Sequence, residues 1–134
     1  MTEDGETTLA PFLEAVLGKK AINVAALDVR GLTSIADFFL ICSGRSARQV
    51  SAIADYVERE LRKRKIKPLS VEGAAEGQWV LIDYGYVIIH VFFESVRQFY
   101  DLDGLWSDAP RLALPGQPRP RSATGRKSRP PDEP

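Results

Sequence analysis

Seven consecutive residues, Val87-Ile88-Ile89-His90-Val91-Phe92-Phe93, constrain this chain more than any other stretch. The run is far too short for the ~20 residues that cross a bilayer. It also lacks the apolar–polar alternation of a strand with one wet face. It therefore reads as a strand buried on both faces, which requires a covering layer on each side. A second run of the same kind, Phe38-Phe39-Leu40-Ile41, sits in a strand expected over 37–42. Two such strands in 134 residues point to one domain with a sheet held between helices.

The covering helices are legible in part. Leu9, Phe12, Leu13, Val16 and Leu17 recur at helical spacing over 9–20, with Thr8 placed to cap and Pro11 in the first turn. A longer helix is expected over 46–65. Ser46 and Gln49 form a capping-box pair, and Val50, Ile53, Ala54, Val57 and Leu61 draw one apolar stripe. Its basic end, Arg59 to Lys67, suits the negative pole of the helix, and reads either as a solvated helix end or as a contact for RNA phosphates. A strand is expected over 22–29, a short extended piece over 69–72, and a hairpin from 79–84 and 86–93 turning at Gly85, where a positive φ suits glycine. A last helix is expected over 95–105. The order predicts an α/β fold, a mixed β-sheet with helices packed on it, over residues 9–109. Residues 1–8 and a Pro/Arg-rich tail from 110 to 134 are expected to be disordered.

Formal net charge is zero, so the chain as a whole is not drawn to nucleic acid. The distribution is uneven. From Leu69 to Asp108 seven carboxylates face one base, Arg97, while Arg119, Arg121, Arg126, Lys127 and Arg129 lie in the tail. The polar N-terminus lacks the basic and apolar regions of a secretory signal, and the single cysteine, Cys42, allows no intrachain disulfide. A soluble cytoplasmic protein is the expectation, with no membrane association.

Catalytic chemistry needs convergent groups, and the sequence offers few. His90 is the only histidine, and a lone histidine in an apolar strand is more often structural than a base or a ligand. Cys42 ends a buried run, where thiols are usually inert, so a Cys42–His90 nucleophile pair is disfavoured. Gly44-Arg45-Ser46 leads from strand to helix as anion-binding turns do. A nucleotidyl-transfer enzyme would also need clustered carboxylates for a metal. Asp101 and Asp103 are a close acidic pair on the expected last helix, and two residues apart on a helix they diverge. No catalytic, cofactor-binding or metal-binding residue is assigned.

What remains is a binding surface. Trp79, Tyr84, Tyr86, Phe99, Tyr100 and Trp106 surround the hairpin and last helix, interleaved with Asp83, Glu94, Asp101 and Asp103. Aromatic anchors beside acidic charge suit a basic protein partner. Phe99 and Trp106 read as core, whereas Trp79 and Tyr100 divide evenly between core and interface. Exposed aromatics and strand edges leave monomer and homodimer both open.

The same residues carry a family resemblance. Ala26-Leu27-Asp28-Val29 with Thr33 and Asp37-Phe38-Phe39, then Gly44-x-Ser46-x-Arg48-Gln49-Val50, resemble the first half of the RsfS/Iojap family of ribosomal silencing factors. Glu72-Gly73, the hairpin from Trp79 to Phe92, and Arg97-x-x-Tyr100-x-Leu102-x-x-Leu105-Trp106 are similar to its second half. The resemblance implies a nucleotidyltransferase-like topology without catalytic residues or cofactor. It also implies binding to large-subunit ribosomal protein fourteen, steric occlusion of small-subunit joining, and reduced translation in starvation or stationary phase. It places Trp79 and Tyr100 in that contact, with His90 and Glu94 on the elements between them. Tyr86 stands where the family often has an acidic or small polar residue. The tail lies outside the resemblance; its basic residues either touch ribosomal RNA or keep the tail solvated.

Overall fold

The computed structural model describes residues 2–114, with side chains from Thr8 onward. Nine elements follow in order: α1 (Thr2–Leu17), β1 (Ile22–Asp28), β2 (Phe38–Gly44), α2 (Ala47–Lys63), β3 (Ser70–Glu72), β4 (Trp79–Asp83), β5 (Val87–Phe93), α3 (Glu94–Tyr100) and α4 (Leu102–Leu105). The strands form one mixed sheet in the order β1-β2-β5-β4-β3. Only β2 and β5 pair in parallel; β1–β2, β5–β4 and β4–β3 are antiparallel. A parallel pair needs a long crossover. Here α2 carries the chain from β2 to the far edge, and β3, β4 and β5 step back until β5 lies beside β2.

The two apolar runs become the central strands. Every residue of β2 is buried, as are all of β5 except Phe93. Alternation sends Phe38, Leu40, Cys42, Val87, Ile89 and Val91 to one face, where they meet Leu9, Phe12 and Val16 of α1 and the Val50–Leu61 stripe of α2. Phe39, Ile41, Ile88 and Phe92 point to the other face, against Val96, Leu102, Trp106 and Ala109. Each such side chain contributes about 1.5–3 kcal/mol by leaving water.

Local chemistry sets the boundaries. Ser46 Oγ accepts from Gln49 N–H at 3.0 Å, and Gln49 Oε1 accepts in return from Arg45 N–H at 2.7 Å. The helix ends at Lys63, short of the expected 65, because Lys65 turns into the left-handed region (φ 64°). Lys65 N–H then donates to Arg62 O and Ile66 N–H to Leu61 O, closing the last carbonyls in a Schellman motif. Gly85 has φ 91° and bridges β4 to β5, as the turn required.

Three larger differences from expectation remain. Helix α1 begins at Thr2, so it takes in most of the stretch 1–8 read as disordered, and Pro11 lies inside it rather than in its first turn. Once a helix is formed, each added residue gains a bond at little cost, which composition alone does not reveal. The single helix expected over 95–105 is two, because Asp101 adopts φ 51° and caps α4, its Oδ1 accepting from Gly104 N–H at 3.1 Å. A Cβ on Gly104 would lie 2.3 Å from the Asp101 carboxylate, so the cap needs glycine there. The domain also runs past 109. Asp28 N–H donates to Pro110 O at 2.8 Å and Leu112 N–H to Ala26 O at 2.9 Å, pinning 110–112 along the outer edge of β1. Leu112 is buried and Leu114 packs on the same core. The tail expected from 110 is thus ordered to Leu114, and its remainder, 115–134, lies outside the described residues.

Candidate protein interface

The two faces of the sheet are unequally covered. Helices α1 and α2 close the first. On the second, α3, α4 and the segment to Ala109 pack over β1, β2 and β5, where Phe39 meets Trp106 edge-on at 5.2 Å. Trp79 and Leu81, on the same face of β4, are only partly buried.

Trp79 anchors what is left open. It pairs with Phe92 across the β4–β5 ladder, and its indole stacks on that ring at 4.8 Å. Tyr100 of α3 lies 5.2 Å from the indole at a tilt, and Phe99 meets Tyr100 edge-on at 5.1 Å. Phe99 is 80% exposed and Tyr100 56%. Trp79 also lines two grooves. One, of about 440 Å³, is shared with Gln78, Ser95, Val96, Phe99 and Tyr100; the other, of about 270 Å³, with Glu72, Gly73 and Leu81.

His90 lies one diagonal step from Trp79, a spacing at which large side chains on neighbouring strands meet. Trp79 Nε1–H donates to His90 Nδ1 at 3.1 Å. The imidazole is 5% exposed, and burial pushes its pKa down to about 4, so it is neutral near pH 7. Phe39 packs edge-on against it at 5.1 Å.

Trp79, His90 and Tyr100 thus come together, and Glu94 does not join them. Glu94 lines a separate cleft with Asn23, Ser43, Arg97 and Asp103. Arg97 fills that cleft as a tie between elements. Its guanidinium donates to both Asp103 oxygens (3.0 and 2.8 Å), to Ser43 Oγ (2.9 Å) and to Asn23 O (2.6 Å). The Arg97 hydrogen bonds hold the Asp103 carboxyl below its ordinary pKa despite partial burial. The one base of the acidic segment is therefore committed to Asp103.

Phe99, read from sequence as core, is instead the most exposed aromatic of the group, on a short helix that buries none of its residues fully. Trp106, also read as core, is partly buried and packs against Phe39 at the edge of that core. Tyr84 and Tyr86 pack edge-on against Phe12 on the helix-covered face, at 5.3 and 5.8 Å. Tyr86 precedes β5 and Trp79 pairs with its far end, so Tyr86 does not border the Trp79 cluster. Sequence reading missed Gln78, Leu81, Ser95 and Val96 as lining residues; a signal lay in the alternation of β4, which sets Trp79 and Leu81 on one face.

The pairings weighed from sequence for catalysis do not come together among the described residues. Cys42 pairs with Val91 and Ile41 with His90, so Cys42 and His90 point to opposite faces. Burial pushes the Cys42 thiol up to about 12. Ser46 Oγ is committed to its helix cap, and a Cβ on Gly44 would already sit 3.1 Å from Val50. Among the described residues, no three His, Cys, Asp or Glu side chains are grouped to hold a metal ion, and no helix is long and apolar enough to cross a membrane.

Comparison with known proteins points to one family. The family model described as ribosomal silencing factor during starvation matches residues 2–133. Ribosomal silencing factor RsfS of Halalkalibacterium halodurans is 45% identical over 104 residues, covering 78% of this chain and 89% of that protein. The protein of the same name from Bacillus subtilis is 44% identical over 96 residues, covering 72% and 81%. A crystal structure of a protein from Bacillus halodurans superposes with a TM-score of 0.72 at 39% identity, covering 81% of this chain and 99% of that one.

Proposed function

The chain belongs to the RsfS/Iojap family of ribosomal silencing factors, and from that premise we propose that it docks on large-subunit ribosomal protein fourteen through the Trp79–Phe99–Tyr100 face and blocks subunit joining by bulk. The observation that carries this reading is the open end of the second sheet face. Three aromatic rings follow one another there, Tyr100 touching both Trp79 and Phe99 and two of the three largely exposed, beside grooves that a partner's side chains can fill. Large aromatics at the centre of a patch are the usual hot spots of protein interfaces. The acidic character of residues 69–108 suits a basic ribosomal protein and speeds its encounter.

No bond is made or broken in this mechanism. A domain roughly 30 Å across, seated where the small subunit must land, prevents joining for as long as it stays bound. Repression in starvation or stationary phase then follows from occupancy of free large subunits in the cytoplasm. His90 and Glu94 enter differently: His90 lies behind Trp79, while Glu94 contributes charge from the neighbouring cleft. The basic residues of 115–134 add at most a salt-dependent attraction to ribosomal RNA.

Sedimentation of the purified protein with separated subunits tests the proposal. Comigration with the large subunit, together with failure of added small subunits to join, is expected. Migration at the top of the gradient with both subunits would overturn it.

A further inference from the structure

The residue behind the aromatic patch has a more specific role than contact. We propose that His90 is a positioning residue, held as the neutral Nε2–H tautomer, whose Nδ1 lone pair fixes the Trp79 indole with its N–H turned inward and its carbon edges to the grooves. The inference rests on the docking reading above for its consequence, but not for its geometry.

A neutral imidazole has one donor and one acceptor nitrogen. Trp79 Nε1 can only donate, so the 3.1 Å contact requires an unprotonated Nδ1. The proton must then sit on Nε2, which is buried and has no hydrogen-bond partner among the described residues. Leaving a donor unsatisfied is costly, so the arrangement persists because the rest of the pocket enforces it. Phe39 of β2 stands edge-on to the imidazole, while Phe92 of β5 lies nearly parallel to it (10°) at 6.2 Å. Burial alone, with no neighbouring charge, lowers the affinity of this imidazole for a second proton.

The consequence for recognition is chemical. An indole on a sheet surface can turn its N–H to solvent and offer a partner a hydrogen bond. Here that donor is spent inside the protein, so Trp79 presents only carbon to both grooves it lines. The matching partner groups are aliphatic or cationic side chains, the latter over the ring face, and no acceptor is needed opposite Trp79. His90, nearly sealed from solvent, contributes without touching the partner.

Nuclear magnetic resonance on the full chain, followed by large-subunit binding, tests this. Nitrogen-15 spectra of the wild-type imidazole at pH 7 are expected to show the Nε2–H tautomer. The Trp79 indole N–H, assigned with the help of Trp106→Phe, is expected to exchange slowly with solvent. In His90→Leu that protection should vanish, and affinity for the large subunit should fall about tenfold. His90→Asn, whose side-chain oxygen can stand near the Nδ1 position, should restore both to within about threefold. An Nδ1–H tautomer, or unaltered indole protection in His90→Leu, would overturn the proposal even if that variant bound poorly. If the spectra match and the wild type fails to bind large subunits, the docking reading falls while the positioning of Trp79 stands. If His90→Leu does not fold, the wild-type tautomer still decides.

Discussion

Strands β2 and β5 offer apolar side chains of similar size to both faces of one sheet, yet the two faces have different fates. On one, α1 and α2 supply a continuous stripe, and Leu40, Ile89, Phe12 and Ile53 are completely enclosed. On the other, α3 and α4 are short, Asp101 breaks them apart, and cover runs out over β4. The same kind of residue therefore does two jobs. Where cover is complete it holds the fold, and where cover is missing it is available to a partner. The exposed Phe99 belongs to the face that α3 and α4 leave uncovered.

Substitutions can break or sharpen this contrast. The largest effect is expected on the closed face, where Phe12→Ala should cost about 3–5 kcal/mol of stability without changing the affinity of the molecules that remain folded. Thermal or denaturant unfolding beside a binding titration separates the two. An affinity loss in the folded fraction would mean the faces are not independent.

The next effect belongs to the buried histidine. Its folded pKa, about 4, lies below the ordinary value of 6.5, so below pH 6.5 the unfolded chain takes up a proton that the folded chain refuses. Stability is therefore intact above 6.5 and lost as pH falls towards 4, by about 3 kcal/mol at ~1.4 kcal/mol per pH unit. The rings packed on it are Phe39, Trp79 and Phe92 and its cross-strand neighbours are Ile41 and Leu81, none of which titrates in this range. Unfolding free energy measured from pH 7.5 to 4.5 for the wild type and His90→Asn should diverge over that window; parallel curves would mean that His90 can ionise in place.

On the open face the order of effects reverses. Trp79→Ala should weaken large-subunit binding by about 2 kcal/mol or more, with a smaller loss of stability than Phe12→Ala. Phe99→Ala sharpens the contrast most: at 80% exposure it should leave stability within about 0.5 kcal/mol, yet cost about 1 kcal/mol of binding. Equal binding by wild type and Phe99→Ala would remove that ring from the interface. Smallest of all, a chain ended after Leu114 should bind with nearly the wild-type affinity at physiological salt and a slightly shallower salt dependence.

The parts of this architecture legible in the sequence are those where local chemistry and burial agree. Val87–Phe93, the Ser46–Gln49 cap and the Val50–Leu61 stripe are each specified by neighbours in the chain, and each forms as read. Failures came where distant contacts decide. Leu112 and Leu114 alternate as a strand does, but the prolines that follow mask the signal, and only the edge of β1 makes the pairing worthwhile. Phe99 read as core because large aromatics usually are, and sequence does not show which face of α3 stays uncovered; the left-handed Asp101 is fixed by its bond to Gly104, which composition does not show. Trp79 and Tyr86 flank one hairpin in sequence but lie at opposite ends of β5 and serve different faces. Glu94 looked close to the aromatics, and is held instead beside Arg97.

The central claim is that the open aromatic face meets a protein, and a photo-crosslinking amino acid at position 99 tests it most directly. Incorporated there and irradiated with purified large subunits, it is predicted to label ribosomal protein fourteen, while the same group at Glu58, on the covered side, labels nothing. Crosslinks from position 99 to ribosomal RNA or to another protein, or equal labelling from position 58, would contradict the account.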